Sequence, residues 1–100
     1  MTTLALLTSQ QPAEALTLGA RWARAGDTVT VVLLDGATAA LRPGHMLAAP
    51  LSAAREAGVR VWAHDVAVAE RDIAYDEDIT AVGLDKVAAL VGQASKVQWW

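Results

Sequence analysis

The sequence predicts a single α/β domain spanning residues 1–100, a three-layer sandwich with helices on both faces of a mostly parallel sheet of about five strands. Three observations predict it. Short apolar runs alternate with amphipathic helical segments, the rhythm of a parallel sheet with crossover helices. Thr28 to Leu34 is β-branched and almost continuously apolar, as in a strand covered on both faces. Hydrophobic residues make up 54% of the chain and charged residues 19%, the opposite of the balance a disordered chain needs.

The elements follow in order. Thr3 to Thr8 reads as a short buried strand. Pro12 to Ala25 reads as a helix, with Glu14, Thr17, Arg21 and Arg24 at helical spacing and Leu16, Ala20 and Ala23 forming its apolar stripe. Ser9 is the expected cap, and Pro12 is tolerated in the first turn. Gly26-Asp27 ends that helix, and the strand Thr28–Leu34 leads into the turn Asp35-Gly36. Ala37 to Leu41 reads as a helical turn, broken by Arg42-Pro43-Gly44. Leu47 to Ala57 is the second helix, with Leu47, Leu51 and Ala54 on one face and Gly58 as its terminal cap. Val59 to Ala63 is the third strand. Asp65 is the expected cap of a short helix through Arg71. An acidic loop spans Asp72 to Asp78, and a fourth strand spans Ile79 to Val82. Leu84 to Ala94 is helical, with Leu84, Val87 and Val91 as its expected buried stripe. Lys96 to Trp100 closes the sheet.

Composition narrows the function. The chain has no cysteine, which removes disulfides, thiolate zinc sites, iron–sulfur ligation and thiol nucleophiles together. Net charge is −3, and the eight basic residues are scattered. Direct nucleic-acid binding needs a clustered positive surface and is disfavoured. The first residues lack a basic region, and their apolar run stops at Leu7, too short for a signal peptide or a membrane span. The expectation is a cytoplasmic protein with no membrane contact. A short, apolar, weakly charged domain is also a candidate for burying further surface in an oligomer.

In a parallel sheet, ligands bind beyond the carboxyl ends of the strands. That edge holds Ser9-Gln10-Gln11, Asp35-Gly36 and His64-Asp65. An Asp–His pair can orient a general base or bind a metal, but neighbours on an extended strand point to opposite faces, so a direct pair needs a turn. Thr8-Ser9-Gln10-Gln11 precedes a helix, where anions bind, but lacks the glycines of a nucleotide fingerprint. His45 has too few potential co-ligands for a metal site. Asp72, Asp76, Glu77 and Asp78 lack the spacing of a calcium loop. Trp99 and Trp100 face opposite sides of a strand, so one of them is left for solvent, a helix or another subunit.

Several stretches resemble the DsrE/DsrF/DsrH family, which includes the TusB, TusC and TusD proteins. Leu33-Leu34-Asp35-Gly36-Ala37-Thr38-Ala39-Ala40-Leu41 and the ending Lys96-Val97-Gln98-Trp99-Trp100 are similar to the DsrH/TusB branch, and Glu56 to His64 is similar to DsrE-type members. The resemblance implies a flavodoxin-like α/β subunit in homotrimers, homohexamers or mixed hexamers with DsrE/DsrF-like subunits, supplied by a TusA-like sulfur carrier. It places the DsrE-type persulfide cysteine at His64, a second family cysteine near Gly19, and a family glycine at Asp72. Imidazole cannot store sulfane sulfur, and persulfide transfer needs a soft sulfur nucleophile.

The expectation is a cysteine-free, non-catalytic subunit of a sulfur-relay assembly, serving tRNA thiolation or sulfur oxidation. It has no cofactor, metal or catalytic residue of its own. Its contact candidates are Ser9, Gln10, Asp35, Gly36, His64, Asp65, Trp99 and Trp100. A small-ligand or nucleotide-binding module is the alternative, and an enzyme built on His64 and Asp65 is the weakest reading.

Overall fold

The computed structural model describes residues 2–75 and 79–100. Five strands, β1 (Thr3–Thr8), β2 (Thr28–Leu33), β3 (Arg60–His64), β4 (Thr80–Val82) and β5 (Lys96–Trp99), form one sheet in the order β4-β3-β2-β1-β5. Every pairing is parallel. The registers align Leu6 with Val31 and Val31 with Val61, so β-branched and aliphatic side chains stack in rows across the sheet. The expected mostly parallel sheet is therefore wholly parallel, because each strand returns through a crossover that carries a helix.

Four α-helices cover the sheet: α1 (Pro12–Arg24), α2 (Ala48–Glu56), α3 (Asp65–Glu70) and α4 (Leu84–Gln93). A 3₁₀ helix, Asp35–Leu41, follows β2 where a helical turn is expected. The main core joins Leu4, Leu6, Val29, Val31 and Val61 of the sheet to Leu16 of α1, Leu51 of α2 and Val68 of α3. On the other face, a smaller core joins Ala5, Leu7, Val32 and Val82 to Val87 and Leu90 of α4. Three helices thus share one face, and a single helix covers the other. Burying each such Leu or Val contributes about 1.5–3 kcal/mol, so the two faces are unequally stabilised.

Four local expectations are corrected. Ser9 does not cap α1; Thr8 Oγ1 accepts from the Gln11 N–H at 3.0 Å, because the strand-to-helix turn points the buried Thr8 hydroxyl at the helix entrance. Leu47 lies just before α2, leaving Leu51 and Ala54 as its buried residues. Asp65 occupies the first turn of α3 with His64 at the cap position, and Asp65 Oδ1 accepts from the next N–H, that of Val66, at 2.7 Å. In α4 the buried stripe is Val87 and Leu90, while Leu84 is 61% exposed. Val91 is also exposed, because α4 crosses from β4 to β5 and turns the Val87–Leu90 edge toward the sheet. Of the acidic loop, Asp72 is exposed with φ +49, and Asp76, Glu77 and Asp78 lie outside the described residues.

Candidate functional site

All five strands point the same way, so their carboxyl ends meet at one edge. There Ser9, Gln10 and Gly36 line a groove of about 590 Å³. At Gly36 the second turn comes near the first: a Cβ there would stand 3.7 Å from the Ser9 carbonyl oxygen, an ordinary van der Waals contact. Asp35 sits beside this groove with φ +46, and its carbonyl accepts from the Thr38 hydroxyl at 2.7 Å. The groove also takes in Gln11, Pro12, Glu14, Met46 and Leu47. Glu14 places a carboxylate in the first turn of α1, opposing an anion at that helix terminus. Met46 arrives from the loop before α2, and no local pattern in the sequence marks it.

His64 and Asp65 follow β3, the strand next to β2, and do not line that groove. Strand β3 ends at His64 and α3 begins at Asp65, so the required turn is present. It brings His64 Nε2 to 3.8 Å from Asp65 Oδ1, beyond hydrogen-bond range but within reach of ion pairing for a protonated imidazole. Here the connections diverge: α3 packs Val68 into the main core, and α4 packs Val87 into the opposite one. Adjacent strands whose helices leave to opposite faces open a crevice at their carboxyl ends. Gly83 lies in it; a Cβ there would meet Asp85 Oδ1 at 2.8 Å and Asp65 Oδ2 at 3.8 Å. Two carboxylates therefore converge beside His64. Gly83 and Asp85 follow β4, so the strand-end rule that found His64 would also have found them. Among the described residues, no group of three or more His, Cys, Asp or Glu side chains is arranged to hold a metal ion.

The tryptophans divide. Trp100 packs partly against the main core, and its carbonyl accepts from the Ser9 N–H at 3.1 Å, tying the last residue to the β1 turn. Trp99 is 62% exposed on the face that α4 covers, on the same side of β5 as the exposed Val97. Trp62 lies partly buried on the same face, with the Arg60 guanidinium 5.8 Å from its ring centre. Gly19, the other position the resemblance singles out, is buried against β1 and β2.

These features define a flavodoxin-like α/β domain with a groove and a crevice along one sheet edge. No family model matches the chain, and no curated protein matches it significantly. Among solved structures, the ychN protein from E. coli matches over 100% of both chains, with a TM-score of 0.88 at 14% identity. MTH1491 from Methanobacterium thermoautotrophicum, a protein of unknown function, matches over 96% of both chains, with a TM-score of 0.72 at 13% identity. At these identities the likeness is one of fold. No helix among the described residues is long and apolar enough to cross a membrane.

Proposed function

We propose that this chain is a cysteine-free, non-catalytic subunit of a sulfur-relay assembly, acting through oligomerisation and contact with cysteine-bearing relatives in the cytoplasm. The observation that carries the reading is the half-covered face of the sheet. Trp99 and Val97 form an exposed apolar strip on the edge strand β5. A monomer gains nothing from such a strip, and large aromatic side chains are favoured in interfaces. The family resemblance along the chain and the fold shared with ychN support the same reading.

His64 stands at the crevice where the resemblance puts a persulfide carrier, and the chain offers no thiol there or elsewhere. Its contribution to sulfur transfer is then to complete the assembly and to shape a partner's site. The partners are further copies of itself in a trimer or hexamer, DsrE/DsrF-like subunits, and a TusA-like carrier.

The test is light scattering of the purified chain, alone and co-expressed with a cysteine-bearing DsrE-type protein. A trimer, a hexamer or a stable mixed complex supports the proposal. A monomer under both conditions overturns it, as does transferable sulfane sulfur on the chain alone. The groove at Ser9 and Gln10 favours a second reading, a small-ligand module. With Glu14 at its rim and Pro12, Met46 and Leu47 in its walls, that groove suits a neutral, largely apolar ligand better than a phosphate.

A further inference from the structure

The two edges of the sheet differ. At one side β4 is three residues long and buries Val82. At the other, β5 is four residues long and all of them are exposed. Edge strands are commonly blunted by charge, proline or a covering element, because a row of free backbone groups invites another strand. Strand β5 carries one charge, Lys96, and no proline. Val97 and Trp99 stand on one face of it, 46% and 62% exposed.

The backbone shows which groups are open. Trp100 turns toward β1: its N–H donates to the Leu7 carbonyl at 2.8 Å, and its carbonyl accepts from the Ser9 N–H at 3.1 Å. Successive residues of a strand turn their N–H and C=O to opposite sides. Gln98 and Lys96 therefore face β1 as well, and Trp99 and Val97 face outward. The strand order ends at β5, so no described strand meets those outward groups. Ser95, just before the strand, donates its N–H to the Thr3 carbonyl at 2.8 Å and offers no donor to the open side. The open edge thus presents the N–H and C=O of residues 97 and 99.

That pattern is complementary to itself. A two-fold axis normal to the sheet through Gln98 sets two β5 strands antiparallel, with Val97 of each opposite Trp99 of the other. Residues so placed exchange both backbone bonds, so every free group of each copy finds a partner. Centring the pair on Val97 would instead set Trp99 against Ser95, whose N–H is already taken. Opposite residues share a face, so the exposed Trp99 of one copy covers the exposed Val97 of the other, an aromatic and β-branched pair. On the other face Gln98 meets Gln98, and Lys96 meets Trp100, a cation against an aromatic ring. The two Lys96 residues lie about 13 Å apart along the strands, so like charges do not meet.

We infer that β5 pairs antiparallel with β5 of a second copy of this chain about a two-fold axis at Gln98, joining two five-stranded sheets into one. The inference rests on the subunit reading and specifies the contact by which copies meet. Strands β1 and β2 separate β5 from β3, so the crevice at His64 stays open in the pair.

The chain has no cysteine, so a single introduced thiol reports the contact. At the axis the two Gln98 Cα atoms stand about 4.5 Å apart, inside the range a disulfide needs. Gln98→Cys, oxidised with diamide at micromolar concentration, is expected to form the covalent dimer at least about tenfold faster than Lys96→Cys, because pairing raises the local thiol concentration. Val97→Pro removes an outward N–H and no bond to β1. Added to Gln98→Cys, it is expected to abolish that advantage, with slow amide exchange at Leu6 and Leu7 showing the sheet intact. Should the proline disturb the sheet, the comparison of the two thiol positions decides. Equal rates at the two positions, or an advantage that survives the proline in an intact sheet, would overturn the inference. Light scattering of the unmodified chain separates the two readings. An assembly with unselective cross-linking removes this contact and leaves the subunit reading standing, whereas a monomer both alone and beside a cysteine-bearing relative removes both.

Discussion

Gly19 packs so closely on Val31 that a Cβ at Gly19 would stand 3.1 Å from Val31 Cγ2. Helix α1 therefore lies directly on β2 at this point, and a family cysteine placed here would be buried. Gly19→Cys should destabilise the fold by about 1–3 kcal/mol through overpacking. Its thiol should react slowly with an aromatic disulfide reagent. His64→Cys, at a side chain 16% exposed at the strand end, should react faster in the native state. Equal rates would show that the crevice is closed to small molecules.

The Thr30 hydroxyl is fully buried in β2 and has no hydrogen-bond partner among the described residues. Valine matches its shape without the polar atom. Thr30→Val should stabilise the protein by about 1 kcal/mol, by removing the desolvation cost of an unpaired hydroxyl. Urea denaturation reads this directly. A loss of stability would mean the hydroxyl is satisfied by water.

Trp99 separates assembly from folding. In the isolated chain Trp99→Ala removes an exposed side chain, so unfolding should change by no more than about 0.5 kcal/mol. Leu6→Ala, in the main core, should cost about 2–5 kcal/mol. Light scattering should show the Trp99 variant falling to a smaller species. An unchanged assembly would remove the β5 edge from the interface.

His45, with few potential co-ligands for a metal, has a local structural part. Its Nδ1 accepts from the Leu47 N–H at 3.1 Å, and its carbonyl accepts from Ala48 at 2.9 Å, where the chain enters α2. His45→Ala should cost about 1 kcal/mol, and His45→Asn should recover part of it because its side-chain oxygen can accept the same bond. Hydrogen exchange at Leu47 would follow both.

Much of the architecture was legible in the sequence. The continuous apolar run from Thr28 identified a strand covered on both faces, and β2 does place Val31 in one core and Val32 in the other. The carboxyl-edge rule located Ser9, Gln10, Gly36, His64 and Asp65. It did not show that they divide between a groove and a crevice. The stripe on α4 was misplaced because its apolar residues recur on nearly every turn, leaving Leu84 and Leu90 as equal candidates until the sheet below selects one.

What the sequence by itself determined is the succession of elements and their two-sided burial, since each rests on periodicity within a few turns of chain. It also determined the absence of a thiol. Only the tertiary structure decided that β5 returns beside β1, exposing Trp99 and anchoring Trp100 on Ser9. Such juxtapositions depend on strand order and on which face each crossover takes, and those are settled by packing between segments far apart in the chain.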